Sequence, residues 1–200
     1  MCNLYRMANS AAEVANFFEL VAATGSNVPG HVYPGTPGLV IVDGTVTSMT
    51  WGFPFAQVSK KTGKPLKPKP VNNARTDKLK SFFWRQSFEQ RRCLIPLEAF
   101  AEAEGQRGAM TRTWMSMPGA NMFTVAGIHR ETDEWGAAYS MVMTDANAQM
   151  SAIHNRMPVI LATAEARKIW QEGSPADAFD LCRPFEGELH IDRTDQRWAG

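Results

Sequence analysis

Cysteine is scarce in this chain: three residues in 200, Cys2, Cys93 and Cys182. An odd number with no C-x-x-C spacing argues against a disulfide framework and against a structural zinc site. Cys93 lies in the apolar run Cys93-Leu94-Ile95-Pro96 and reads as a buried, inert thiol. Long apolar stretches are missing as well. None approaches the ~20 residues that cross a bilayer, and the first ten residues lack the charged and apolar regions of a signal peptide. A soluble, cytoplasmic protein with no membrane partner is expected. Internal repeats are absent. So is an excess of either charge: 21 Lys and Arg stand against 20 Asp and Glu, a net +1 that by itself points to no partner.

What is present is a core. An apolar content of 44 % with six Trp suits one globular domain over residues 1–200 and excludes a disordered chain. The charge is also unevenly spread. From Lys60 to Arg92 eleven bases face two acids, Asp77 and Glu89, which leaves +9 there and −8 elsewhere. Such an asymmetry suits a phosphate backbone, although a solvated Lys-rich loop carries the same signature.

Ser10-Ala11-Ala12-Glu13 has the form of a capping box, and Val14, Phe17, Phe18 and Val21 follow at helical spacing, predicting a helix over 11–23. Asp43-Gly44 between Leu39–Val42 and Thr45–Trp51 predicts a β-hairpin. The segment 60–70 is too rich in proline for a helix or a central strand and is expected to be an extended, mobile basic loop. A helix is expected from Asp77 to Gln90. Short β-type runs follow at Arg92–Ile95, Ala99–Ala103, Thr113–Met117, Met122–Ile128, Ala138–Thr144 and Met157–Leu161, and Thr163 caps a further helix. Strands without regular intervening helices indicate an α+β fold with a mixed or antiparallel sheet.

Cys2 offers the most specific chemistry. Removal of Met1 would give it a free α-amine beside a thiol, with reference pKa values of about 8 and about 8.5. An aldehyde can then be taken first as an imine and closed by sulfur into a five-membered thiazolidine. A lone lysine would leave a hydrolysable Schiff base, and an internal cysteine a reversible hemithioacetal.

Four motifs stand in order: Met1-Cys2-Asn3-Leu4-Tyr5, Asn73-Ala74-Arg75-Thr76-Asp77, Arg91-Arg92-Cys93-Leu94-Ile95-Pro96 leading to Phe100-Ala101-Glu102, and His154-Asn155-Arg156-Met157-Pro158, with Trp51-Gly52 between the first two. Together they resemble the SOS response-associated peptidase (SRAP) family, whose members shield abasic sites in DNA, over residues 1 to about 161. The resemblance implies a barrel-like sheet with flanking helices. It implies that Cys2 is the nucleophile, exposed by self-removal of Met1, that Asn73 fixes it, that Glu102 moves protons at the amine, and that His154 opens the deoxyribose ring. It implies single-stranded DNA carrying abasic sites as the partner of a monomer, with a possible weak lyase activity and no metal or cofactor. Arg75 and Arg156 are then phosphate ligands, joined by Lys67 and Lys69, with Trp51 as a stacking face and Gly52 as a point of close approach. An ion pair for each arginine and a core position for Trp51 are the alternatives.

Departures from the family pattern occur. Asn3 and Leu4 stand where many members carry Gly and Arg, and Ala101 and Ala103 stand where aromatics usually flank the Glu. Arg6 shares a strand face with Leu4 and is a candidate replacement. The remaining histidines, His31, His129 and His190, are read as structural. Two other classes compete: an N-terminal-nucleophile amidohydrolase, and a non-catalytic reader of damaged DNA that keeps Met1.

Overall fold

Ser10 accepts from the Glu13 N–H while the Glu13 carboxylate takes the Ser10 N–H at 2.7 Å, so the capping box starts the first helix as expected. The computed structural model of the chain describes residues 2–26, 28 and 30–198. In chain order it has β1 (Leu4–Arg6), α1 (Ala11–Phe17), β2 (Val21–Ala22), β3 (His31–Val32), β4 (Pro37–Val42), β5 (Thr45–Trp51), β6 (Phe53–Val58), β7 (Pro65–Val71) and β8 (Asn73–Arg75). After a 3-10 turn at Thr76–Lys78 come α2 (Arg85–Gln90), β9 (Arg92–Leu97), β10 (Ala99–Glu104), β11 (Thr111–Ser116), β12 (Phe123–Thr132), β13 (Gly136–Asp145), β14 (Arg156–Pro158), β15 (Ile160–Leu161), α3 (Ala164–Glu172), α4 (Pro175–Asp180) and β16 (His190–Arg197).

The α+β reading holds, and the sheet closes. β13 pairs with β12, β12 with β9, β9 with β4 and β4 with β5, all antiparallel; β5 returns to β13 in parallel through Ala138↔Thr50 and Tyr139↔Trp51. A closed five-strand barrel has no free edge inside the ring. β8 and β14 add to β13, one parallel and one antiparallel. A second sheet runs β16-β11-β10-β1-β3. Because neighbouring strand residues face opposite ways, Tyr5, Phe100 and Met115 join the main core, while Leu4, Ala99, Ala101 and Trp114 form a separate cluster under Tyr33 and Trp198.

Three expectations change. The first helix stops at Phe17, because Glu19 takes a left-handed φ of 57° and Val21–Ala22 instead pair with β5. The helix expected over 77–90 is confined to Arg85–Gln90, preceded by turns. The basic segment 60–70 is largely an ordered strand: β6 and β7 form an antiparallel ribbon in which Phe55 faces Lys69 and Val58 faces Pro65. A two-stranded ribbon has only edges, where proline is tolerated.

Candidate functional site

The β1–β10 register, Leu4↔Ala101 and Tyr5↔Phe100, lays the start of the chain along the strand that carries Glu102. Cys2 is fully buried there. Its carbonyl accepts two amide N–H bonds, from Asn73 Nδ2 at 2.8 Å and from Asn72 Nδ2 at 2.9 Å. Its thiol donates to the Leu4 carbonyl at 3.5 Å. Burial, and then the negative charge of Glu102, push the Cys2 thiol well above the ordinary thiol range. The reference values suggested a partly ionised thiol near neutrality; in this pocket the thiol is neutral, so an attacking sulfur must hand its proton to a base. Asn73 Oδ1 is buried and has no hydrogen-bond partner among the described residues, which leaves one acceptor beside Cys2. Met1 lies outside the described residues.

Glu102 is 4 % exposed. Loss of hydration raises its carboxyl to about 7, a shift that the positive amino terminus of the chain partly offsets. A carboxyl at that value is divided between acid and base near neutrality. The half-buried His154 sits two residues before β14, where its Nδ1 accepts the Arg156 N–H at 3.0 Å. The neutral ring therefore carries its proton on Nε2; when charged, Nδ1 can donate to the Arg156 carbonyl 3.3 Å away. Desolvation, then the same terminal charge, lowers His154 below the usual imidazole value.

Arg75 and Arg156 project from β8 and β14 on either side of β13. Arg75 grips Asp77 with two bonds, at 2.9 and 2.6 Å. Arg156 lies 3.9 Å from the same carboxylate and 3.4 Å from Asp145. The arginine side chains are 44 % and 17 % exposed, so the cluster borders solvent and holds two guanidinium groups together through one shared aspartate. Lys67 and Lys69 stand exposed on the ribbon. No acid occurs from Phe53 to Thr76.

Trp51 and Gly52 have other duties than those expected. Trp51 is completely buried, stacked on Tyr139 and edge-on to Tyr5, so no face remains for a base. Its indole N–H donates to the Asn72 carbonyl at 3.0 Å. The close approach of Gly52 is to its own chain: a Cβ there would lie 2.6 Å from the Pro70 Cβ, and its φ of 116° excludes most side chains. Arg6 does share Leu4's face, but it pairs with Glu98 at 3.1 Å and lies over the Trp114 ring.

Sequence reasoning missed Asn72, and it missed a groove of about 660 Å³ that runs from Asn3 and Asn72 past Lys69 and Lys78 to Phe55 and Phe83. The available signal was the doubled amide Asn72-Asn73 and the aromatic run Phe82-Phe83-Trp84 beside Lys78 and Lys80. A second cavity of about 710 Å³, between α1 and α3, contains none of the site residues. Among the described residues no group of three or more His, Cys, Asp or Glu is placed to share a metal ion, and no helix is long and apolar enough to cross a membrane.

A closed barrel thus carries, at the start of the chain, a buried cysteine whose carbonyl is held by two amides near a buried carboxyl. The family model for SOS response associated peptidase (SRAP) matches residues 1–197, and the chain belongs to that family. It is 29 % identical over 164 residues to the abasic site processing protein YoqW of Bacillus subtilis, covering 74 % of this chain and 70 % of that protein. It is 24 % identical to the abasic site processing protein HMCES of Xenopus tropicalis, over 70 % of this chain and 50 % of that longer protein. The same fold occurs in a protein from Bordetella bronchiseptica (TM-score 0.79, 19 % identity, 96 % and 99 % of the two chains). It occurs again in one from Bacteroides thetaiotaomicron (TM-score 0.76, 22 % identity, 97 % and 93 %).

Proposed function

We propose that this protein, once Met1 has been removed by its own site, binds single-stranded DNA as a monomer and captures the ring-opened aldehyde of an abasic deoxyribose as a thiazolidine on Cys2. The observation that carries the reading is the double amide grip on the Cys2 carbonyl, which holds a buried terminal residue next to Glu102.

In this mechanism His154 in its charged form gives its Nε2 proton to the sugar-ring oxygen as the C1′–O bond breaks, and the C1′ hydroxyl releases its own proton to water, giving the aldehyde. The Cys2 α-amine adds to C1′, Glu102 accepts a proton from nitrogen and returns one to the departing hydroxyl, and water leaves to form the imine. Sulfur then adds to the imine carbon and its proton passes to nitrogen; one C–S bond forms and the C=N double bond becomes single. The neutral thiol fits this order, because it stays silent until the amine has bound the aldehyde. Consuming the imine also suppresses β-elimination, so strand cleavage is at most a minor side reaction. Asn73 Oδ1 supplies an acceptor for the amine N–H.

The charge pattern supports the choice of DNA. Lys69 and Lys78 border the groove that leads to Asn3 and Asn72, Phe55 and Phe83 line it with their rings, and a phosphate can compete with Asp77 for Arg75 and Arg156. The test is denaturing electrophoresis of the protein mixed with a single-stranded oligonucleotide bearing one abasic site, beside Cys2→Ala and an undamaged strand. A heat-stable shifted band that needs both Cys2 and the lesion is expected. Its absence, from protein whose mass confirms loss of Met1, would overturn the proposal in favour of an amidohydrolase, and a retained Met1 would overturn it in favour of a reader.

A further inference from the structure

Once Met1 is gone, Cys2 has only one peptide bond left, so the plane of its own carbonyl is the sole covalent handle by which the protein can orient the amine and the thiol. Rotation about the Cα–C bond would swing both nucleophiles together. That carbonyl oxygen has two lone pairs, and both are taken, by Asn73 Nδ2 at 2.8 Å and Asn72 Nδ2 at 2.9 Å. Only Asn73 belongs to the motif that the sequence singles out.

Asn72 is placed for this work by its backbone. It occupies the single-residue bend between β7 and β8, and its carbonyl is pinned by the Trp51 indole N–H at 3.0 Å and the Met141 N–H at 2.9 Å. Its second amide proton goes to Asn3 Oδ1 at 3.1 Å, so both protons are committed to the first two residues of the processed chain. Asn72 is 9 % exposed; with both its donors engaged inside the protein, little of it is left to contact a strand in the groove.

We infer that Asn72 is a positioning residue that works as the second jaw of a clamp with Asn73, and that Asn3 steadies it, so that the pair fixes the aminothiol for imine formation and ring closure without contributing to DNA affinity. This rests on the thiazolidine reading above. Orientation of this kind appears in the rate of the chemical step, since binding of substrate is unaffected. It also gives the departure at position 3 a function: a glycine there would offer Asn72 no side-chain acceptor.

The experiment is single-turnover crosslinking to an abasic oligonucleotide over a range of DNA concentrations, with wild type, Asn72→Leu, Asn3→Ala and the double variant, all checked by mass for loss of Met1 and by thermal melting. Asn72→Ala replaces Asn72→Leu if the larger side chain prevents folding. The expected result is a limiting rate about tenfold lower for Asn72→Leu with half-saturating DNA within about twofold of wild type. Asn3→Ala should slow the reaction about threefold, and the double variant should be no slower than Asn72→Leu alone, because Asn3 acts through Asn72. An unchanged limiting rate in Asn72→Leu beside a reactive wild type overturns the clamp alone. Parallel losses of rate, affinity and melting temperature overturn it by making Asn72 merely structural. A wild type that has shed Met1 and never crosslinks overturns the underlying reading, and the clamp with it.

Discussion

Trp51 and Asn72 are joined by a hydrogen bond from the indole Nε1 to the main-chain oxygen at 3.0 Å, entirely inside the protein. The tryptophan of the Trp51-Gly52 motif thus supports the residue that supports Cys2, two links behind the chemistry. Replacing it with phenylalanine removes the bond and some volume, leaving the Asn72 oxygen with the Met141 N–H alone. Trp51→Phe should cost about 1–3 kcal/mol in urea unfolding. It should slow crosslinking while leaving affinity for an undamaged strand, read by fluorescence anisotropy, unchanged. A large loss of affinity would restore a stacking role.

Glu102 sets a pH signature. Its carboxyl is raised from an ordinary value near 4.5 to about 7 by burial, so the folded protein holds this proton more tightly than the unfolded chain. Stability from this group is full below pH 4.5 and falls as pH rises toward and through 7. Glu102→Gln removes the dependence. At pH 8 the variant should be more stable than wild type by about 3 kcal/mol, with the gap mostly closed at pH 5. The same variant should crosslink on the order of 10²-fold more slowly, since an amide cannot shuttle the proton. Equal pH profiles of stability for the two proteins would contradict the placement of Glu102.

Gly38 faces the hydrogen-bonded hydroxyls of Tyr5 and Tyr139, and a Cβ at 38 would collide with both. Tyr5 belongs to the strand that begins two residues after Cys2, and Tyr139 pairs with Trp51, so the collision lies beneath the site. Gly38→Ala should destabilise by about 2–3 kcal/mol and lower the crosslinking rate. A melting temperature equal to wild type would show that the tyrosine pair can yield.

Lys67 and Lys69 test the ribbon. If both touch phosphates, Lys67→Ser with Lys69→Ser should reduce the slope of log affinity against log salt by about 1.4 for a single strand. The limiting crosslinking rate at saturating DNA should not change, because neither lysine hydrogen-bonds Cys2, whose bonds go to Leu4, Asn72 and Asn73. An unaltered slope would remove the ribbon from the DNA path.

Much of the fold could be read directly from residue pattern. The Ser10 capping box, the Asp43-Gly44 hairpin and the Thr163 cap are local devices whose partners lie within four residues, and each appears as expected. What local pattern could not carry is long-range pairing. Val21 and Ala22 look like the end of a helix, yet they serve as a strand because β5 meets β13 only at Thr50 and Trp51, which leaves its Thr45–Val46 end free to pair with them. The Pro-rich segment looked like a loop because proline breaks central strands, and the rule does not bind in a ribbon that is all edge. At the site, the motif residues Cys2 and Asn73 were legible by type and order and meet in a hydrogen bond, while Glu102 reaches Cys2 through its charge. Asn72 was not legible: adjacent strand residues face opposite ways, and only the bend between β7 and β8 turns both amides to one oxygen. Trp51 was misassigned because its sequence neighbours do not reveal that Tyr5 and Tyr139 enclose it.

The central claim is that the amine and the thiol of Cys2 both end on one carbon of the abasic sugar. Intact-mass measurement of the adduct, with and without borohydride added after the reaction, tests it most directly. The predicted mass is that of the protein lacking Met1 plus the oligonucleotide minus one water, and borohydride should leave it unchanged, because a thiazolidine has no C=N bond to reduce. An adduct that gains two hydrogens would be an imine held without sulfur, and an adduct that retains Met1 would place the bond elsewhere; either would contradict the account.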